Sequence, residues 1–170
     1  MFSDKGQSLM ELVVVIAVII IVVVALTFAT IASLRNAQFS QNQVQATKLA
    51  QEGIEKIRTL RDRDTADAIN YLKGDGGRAT KFSDLWAVNL SCPANCYFYF
   101  NYASPPVLVG ATVANLENIP PPPAKLQFSR QVMIEDVGNG QNQKKVTVIT
   151  NWTDVSGPHE SKLTTILGKI

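Results

Sequence analysis

The chain has 170 residues, of which 46% are hydrophobic and 18% are charged, and it contains two cysteines and one histidine. This length favours one domain, and a formal net charge of +2 gives no signal for a polyanion-binding protein. A zinc site with four cysteine or histidine ligands is excluded within this chain, because the sequence supplies too few of them. Of the 16 basic and 14 acidic residues, only Asp4, Lys5 and Glu11 lie in the first 34 positions.

The charge-free segment from Leu12 to Leu34 predicts a membrane-spanning helix. It is 23 residues long, and an α-helix of that length rises about 34 Å, slightly more than the ~30 Å hydrocarbon core of a bilayer. Its polar residues carry hydroxyls, which can bond to backbone carbonyls one turn earlier. A cleaved secretory signal is the competing interpretation, but the apolar core of such a signal normally runs only about 7 to 15 residues.

Glu11 is an anomaly at the edge of this run, because a carboxylate in lipid is costly unless it is paired or stays at the interface. It either lies in the headgroup layer or has a partner. Cleavage after Gly6 would make Gln7 the new amino terminus. The ammonium of Gln7 would then lie one helical turn from the Glu11 carboxylate, or it could approach the same carboxylate of a neighbouring subunit.

The segment from Lys5 to Leu12, with its glycine, its glutamate five residues later and the apolar run beyond, resembles the class III signal of type IV pilins and type II secretion pseudopilins. In that family a prepilin peptidase cuts after the glycine, the new amino terminus is methylated and the glutamate guides subunit assembly. The resemblance implies a leader at residues 1–6, cleavage between Gly6 and Gln7, methylation of Gln7, and an assembly role for Glu11.

Two features of this segment depart from the family. Gln7 stands where most members have phenylalanine or methionine, and no glycine or proline interrupts the chain between Gly6 and Gly53. Many relatives carry such a breaker inside the apolar helix. We therefore expect one continuous helix from about Ser8 to about Arg61, in which residues 7–34 form the transmembrane or filament-core part.

Residues 35–64 predict the amphipathic half of the same helix, because apolar residues recur at spacings of three and four. These are Ala46, Leu49, Ala50, Gly53, Ile54, Ile57 and Leu60. Gly53 indicates a close approach of another backbone or a mild bend. Charged residues of both signs in this half predict a solvent-exposed helix face with ion pairs such as Glu52 with Lys56. Contacts between subunits in a filament are the alternative interpretation of the same charges.

Residues 65–124 predict a variable region of turns and loops. Asp62 to Lys81 is expected to be irregular, with a turn at Gly74 to Gly77, and Pro120 to Pro123 form a stiff connector. Cys92 and Cys96 are separated by turn-forming residues and are expected to form a disulfide in a head exported from the cytoplasm. Their spacing does not match a C-x-x-C redox pair.

Residues 125–170 predict an antiparallel sheet. Apolar and polar residues alternate on both sides of a turn at Gly138, Asn139 and Gly140, which indicates a hairpin. A third strand near Ser161 to Leu167 follows a turn at Ser156 to Pro158. Three antiparallel strands packed on the amphipathic half of the helix give an α+β head, which is the general architecture of the pilin family.

The sequence offers little for catalysis or metal binding. His159 lies beside Pro158 in a turn and is expected to be exposed, and no motif places a nucleophile near it, so no enzyme activity is expected. Asp136, Asn139 and Asn142 are the residues that could supply oxygens to Ca²⁺, since some pseudopilins bind calcium in a carboxy-terminal loop. Calcium sites use about six to eight oxygens and usually several carboxylates, so we predict no metal and no cofactor.

The basic residues of the head are expected on its solvated surface rather than in a DNA-binding patch. They include Arg78, Lys81, Arg130, Lys144 and Lys145. Nucleic acid is therefore not among the expected partners.

These features together predict a structural subunit of a type IV pilus-like or type II secretion-like filament, made as a single-pass protein of the cytoplasmic (inner) membrane with an exported head. Its expected partners are other pilin-like subunits, a prepilin peptidase and an inner-membrane assembly platform. The alternative is a membrane-anchored exported binding protein that never polymerises. Such a protein needs the apolar helix but has no use for Gly6 or Glu11.

Overall fold

The computed structural model describes residues 4–72, 78–93, 95–101, 107–111, 117–119, 127–138 and 142–169. The turn predicted at Gly74 to Gly77, the connector at Pro120 to Pro123, and Asn139 lie outside these ranges. The chain divides into two compact units, one that ends at Asn42 and one that begins at Gln43. The second unit, the head, therefore begins several residues after the predicted end of the apolar run at Leu34.

A single helix, α1, runs from Asp4 to Arg63 and includes both predicted halves. In the first unit its large apolar side chains are exposed, and the helix is long and apolar enough to cross a membrane. The hydroxyls of Thr27 and Thr30 each donate to a carbonyl one turn earlier, at 2.8 Å. The polar groups of this segment are thus satisfied locally, which makes its burial in an apolar environment possible.

The part of α1 that belongs to the head, from Gln43 to Arg63, is called the head's helix and buries the predicted stripe. Ala46, Ala50 and Ile57 are fully buried, and Leu49 and Leu60 are partly buried against the core. On the solvated side, Lys56 pairs with Glu52 at 2.5 Å and Arg58 pairs with Glu55 at 2.7 Å. The predicted amphipathic helix with its exposed charge pairs is therefore confirmed.

The described residues of the head include eight strands. They are β1 (Ile69–Leu72), β2 (Arg78–Ala79), β3 (Tyr97–Asn101), β4 (Val107–Ala111), β5 (Glu117–Ile119), β6 (Phe128–Asp136), β7 (Gln143–Asp154) and β8 (Gly157–Gly168). A 3₁₀ helix at Phe82–Ala87 lies between β2 and β3. The strand order is β2-β1-β4-β3-β6-β7-β8, with β5 also paired to β6. All these pairs are antiparallel except β1 with β4, so the fold is α+β as predicted.

The predicted three-stranded sheet corresponds to β6, β7 and β8, but the expectation that Asp62 to Lys81 is irregular was wrong. Strands β1 and β2 lie within the segment expected to be irregular, and β3, β4 and β5 extend the same sheet. These strands are only two to five residues long. Such short runs carry almost no periodic signal, and β1 pairs in parallel with β4, a partner distant in sequence.

Strand β8 begins at Gly157, four residues before the predicted Ser161. The turn itself consists of Val155 and Ser156, and Gly157 adopts a φ of 122°, which favours glycine. Pro158 is accommodated because β8 is an edge strand of the sheet, where a missing backbone N–H need not break the ladder.

Gly53 brings the head's helix close to the sheet, where its neighbours are side chains and not another backbone, which was the first of the two predicted alternatives. A Cβ at Gly53 would lie 3.0 Å from Val148 Cγ1 and 3.2 Å from Arg130 Cδ. Both partners are fully buried residues of the central strands β6 and β7. The glycine therefore fits the space that this close packing leaves.

Gly110 on β4 makes room for the buried ring of Tyr71 on β1. A Cβ at Gly110 would overlap Tyr71 Cδ2. The ring stacks on Phe98 with centroids 5.5 Å apart, so its surroundings restrict where it can move. Burial raises the pKa of Tyr71, against the opposing effect of a hydrogen bond with the Asn95 side chain.

We expect Gly110→Ala to lower the free energy of unfolding by about 1 to 3 kcal/mol, because the added methyl group displaces the packed ring of Tyr71. Gly168→Ala is the matched control, since nothing lies within 4 Å of a Cβ at that position. Its effect should stay within about 0.5 kcal/mol. Urea titration of the full chain in detergent, followed by tryptophan fluorescence, measures both. Equal losses in the two variants would contradict the steric explanation.

Candidate functional site

The residues predicted for processing lie in the first turns of α1, which begins at Asp4. Gly6 and Gln7 are both helical, so the peptide bond between them lies within the first turns of α1.

Glu11 lies one turn beyond Gln7 and is exposed. Its neighbours Leu9, Met10 and Leu12 are also exposed, each by 61% or more. Within the part of the chain that the structure describes, Glu11 has no ion-pair partner. The carboxylate is therefore available to a positive group from outside these residues, which is the requirement of the predicted assembly role.

A buried ion pair between Arg130 and Glu117 lies where the head's helix meets the sheet. The two residues are directly opposite each other in the β5 and β6 register. Arg130 Nη2 donates to Glu117 Oε1 at 2.9 Å, and Arg130 Nε donates to Oε2 at 3.2 Å. Both side chains are almost completely buried. This bidentate geometry offsets part of the desolvation that burying two charges requires.

The same guanidinium also contacts the helix. Arg130 Nη1 donates to the carbonyl of Leu49 at 3.0 Å, and the Arg130 Cζ lies 4.9 Å from the centroid of the Phe100 ring. The expectation that Arg130 is solvated was wrong. Its position in β6, on the same side as Phe128 and Val132, is the signal that could have identified it as buried.

A second buried ion pair, between Lys144 and Asp136, holds the segment before the disulfide against the sheet. Lys144 Nζ pairs with Asp136 and donates to the carbonyl of Val88 at 2.8 Å. Asp136 Oδ2 accepts the N–H of Leu90 at 2.7 Å, and the Asp136 N–H donates to the Leu90 carbonyl at 2.9 Å. Lys144 is fully buried, so its expected solvated position was also wrong.

These contacts involve Asp136, one of the three residues that could supply oxygens to Ca²⁺. Both Asp136 oxygens already accept hydrogen bonds within the head. Asn142 is exposed, and Asn139 lies outside the described residues. In the described part of the chain, no three His, Cys, Asp or Glu residues cluster in a way that could hold a metal ion.

Cys92 and Cys96 form the predicted disulfide. Within the loop that it closes, Asn95 Oδ1 accepts the N–H of Ser91 at 3.1 Å, and Asn95 Nδ2 donates to the Asn89 carbonyl at 2.9 Å. The N–H of Ile134 in β6 donates to the carbonyl of Cys96 at 2.8 Å. The disulfide therefore shapes a loop that is also attached to the sheet by hydrogen bonds.

Of the five basic residues named for a possible DNA-binding patch, two do not lie on the surface. Arg130 and Lys144 are buried, and Lys145 pairs with Glu135 at 2.6 Å. The Arg78 Nε donates to Asn70 Oδ1 at 2.7 Å on β1 and β2. A continuous patch made of these residues is thus not formed.

His159 is partly buried, and the expectation that it is exposed was wrong. Its Nε2 lies 2.9 Å from Asp154 Oδ1, and its ring stacks on Trp152 with centroids 5.4 Å apart. The backbone N–H of Ser156 donates to the same Asp154 carboxylate at 2.7 Å. The hydrogen bond from Ser156, followed by those from His159 and the Gly157 N–H, lowers the pKa of Asp154. These contacts hold the turn between β7 and β8.

Comparison of the chain with protein-family models, with curated proteins and with solved structures gives no match.

We expect Glu117→Leu to lower the free energy of unfolding by about 3 to 5 kcal/mol, because it removes the carboxylate that compensates the buried Arg130. The double variant Arg130→Met with Glu117→Leu should lose less than Glu117→Leu alone, since neither charge then remains buried. Glu55→Ala, which breaks the exposed pair with Arg58, is the control and should cost less than about 1 kcal/mol. Urea titration in detergent compares the three. A double variant less stable than the single one would contradict this account.

The lowered pKa of Asp154 predicts a dependence of stability on pH. Because the pKa is lower in the folded than in the unfolded chain, this contribution is complete above the unfolded value of about 4 and is lost as the pH falls through the folded value. Asp154→Asn removes the titrating group. The free energy of unfolding of this variant should therefore fall less steeply than that of the wild type between about pH 5 and about pH 2.

The matched control for this measurement is Glu160→Gln, in which an exposed carboxylate of the same hairpin is neutralised. We expect its pH profile to keep the slope of the wild type. An unchanged slope in Asp154→Asn would contradict the prediction that the folded turn favours the ionised form of Asp154.

Proposed function

We propose that this chain is a structural subunit of a filament of the type IV pilin or type II secretion class. In this proposal α1 anchors the chain in the cytoplasmic membrane with its head exported, and a prepilin peptidase then cuts between Gly6 and Gln7. The observation that carries the proposal is the exposed, charge-free apolar segment from Leu12 to Leu34 of α1, with the carboxylate of Glu11 directly before it.

The apolar surface of α1 requires a partner. Between Leu9 and Leu34, the large apolar side chains are 42% to 69% exposed, and the segment from Leu12 to Leu34 carries no charge. Soluble monomers rarely leave so much contiguous apolar surface in water. Lipid can cover this surface before assembly, and the same helices of neighbouring subunits can cover it in a filament core.

Hydrophobicity alone does not favour the filament over the membrane, because lipid tails are as apolar as the neighbouring helices. An ion pair that forms only between subunits, which we call the charge rule, can supply the difference in free energy between membrane and filament. Once the leader is removed, the ammonium at Gln7 of one subunit can pair with Glu11 of another. At a separation of about 4 Å, such a pair gains about 4 kcal/mol at an effective dielectric constant of about 20, against about 1 kcal/mol in water.

The head supports the proposal through its architecture. Its α+β fold, with the second half of α1 buried against an antiparallel meander, matches the arrangement that the pilin resemblance implies. The disulfide between Cys92 and Cys96 suits a head that is exported to an oxidising compartment. In the filament the heads would surround the helical core.

The test is Glu11→Ala in the full chain, expressed in a host with a pilin assembly system. We expect membrane insertion and cleavage to continue, with a mature chain that begins at Gln7 by mass spectrometry. Incorporation into filaments sheared from the cells should fall at least about tenfold, which corresponds to about 1.4 kcal/mol per subunit.

Two control variants separate charge from position. Glu11→Asp keeps the carboxylate and should retain part of the incorporation, and Asp62→Ala removes an exposed carboxylate from the head's part of α1 and should assemble normally. Normal assembly of Glu11→Ala would reject the charge rule. A wild-type chain that keeps Met1 and yields no filaments would instead support the non-polymerising anchored binding protein.

A further inference from the structure

A cleft of about 320 Å³ opens in the head beside the last turns of α1. Thr59 and Leu60 of α1 line one part of it, Ala66 and Ala68 of the following loop line another, and the ring of Phe100 also contributes to the lining. Phe100 is almost fully buried and contacts the guanidinium of Arg130, so its ring is held in place by packing. A volume and lining of this kind are typical of a site that accepts a small apolar group.

The rim of the cleft contains charges that remain available. Glu52 and Lys56 pair with each other, and Glu55 pairs with Arg58. Arg63 and Asp67 also line the cleft, and neither has an ion-pair partner among the residues that the structure describes. An occupant that carries an apolar group, with an acidic side chain near enough to reach Arg63, would complement this rim.

The tip of the β7 and β8 hairpin has these properties. Val155 in the turn is 90% exposed, more than any other large apolar side chain in the described part of the chain. The Asp154 carboxylate, through Ser156 and His159, holds the turn that carries it. Glu160 lies exposed on β8, four residues beyond the turn residue Ser156, and has no ion-pair partner among the described residues.

The tip and the cleft lie at opposite ends of the head's helix. Thr47 Oγ1 lies 3.1 Å from Ser161 Oγ, and Trp152 packs with Ala46, so the tip is beside the start of that helix. The cleft is lined from Glu52 to Arg63, and from Thr47 to Thr59 the helix rises about 18 Å. The hairpin tip at one end of the head and the cleft at the other favour contact between copies of the chain. Such a head-to-tail contact continues from copy to copy when it does not close into a ring.

We propose that Val155 of one copy of this chain inserts into the cleft of a second copy, with Glu160 facing Arg63. This inference rests on the proposed function, because the contact is formed between the heads of neighbouring subunits in a filament. It adds a specific contact between heads to the packing of the apolar helices.

The test uses cysteine pairs in the full chain. Val155→Cys combined with Thr59→Cys should give a ladder of crosslinked species on non-reducing gels after mild oxidation of sheared filaments, because each copy offers both partners. Both positions are exposed, so the fold should be retained, which urea titration checks. The wild-type cysteines are already bridged and provide the background.

The matched control is Val155→Cys with Lys48→Cys, an exposed position of the same helix outside the cleft. It should crosslink at least about five times less than the Thr59 pair. In the Val155 and Thr59 cysteine pair, adding Arg63→Glu should weaken the ladder by a similar factor, and adding Glu160→Arg to that variant should restore it.

The outcomes are distinct. Normal filaments without a ladder, or a ladder of equal intensity from the Lys48 pair, would overturn the tip-to-cleft contact and leave the proposed function standing. A ladder from the Thr59 pair that follows the charge exchange supports the contact. Absence of filaments from the wild type would reject the proposed function, and the contact with it.

Discussion

The close packing of the head's helix on strands β6 and β7 is the constraint on which the rest of the head depends. Small residues at the contact, Ala46, Ala50 and Gly53, let the helix lie near the side chain of Val148. At this separation the guanidinium of Arg130 reaches the Leu49 carbonyl, and it is then covered from solvent. A buried guanidinium requires a compensating carboxylate, and Glu117 on the short strand β5 supplies it.

The head uses buried charges to attach its irregular parts. Arg130 joins β5 to the helix, and Lys144 with Asp136 attaches residues 88–90 next to the disulfide loop. Hydrogen bonds to buried charges are directional and are costly to leave unmade. They can therefore fix short segments that bury too little apolar surface to hold their own position. The proposed roles of the hairpin tip and the cleft both require such fixed surroundings.

The two units of the chain differ in how their apolar surfaces are covered. The head buries its apolar stripe against its own sheet, whereas the apolar surface of the first unit is exposed and needs lipid or other subunits. Under the proposed function, Glu11 is the residue that distinguishes these two environments, because its charge gains a partner only when subunits meet in the correct register.

The apolar run, the amphipathic stripe, the β6 to β8 meander and the disulfide were all predictable from sequence, because each rests on local periodicity or spacing. The burial of Arg130, Lys144 and His159 was not predictable from sequence. A charged residue on the inward side of a strand is buried only if a distant partner such as Glu117 compensates it. Strands β1 to β5 were missed for a related reason: they are short, and non-local pairing stabilises them. By itself, the sequence determined the elements whose physics is local. The tertiary structure alone decided which polar groups are buried, because burial and compensation depend on residues that only the fold brings together.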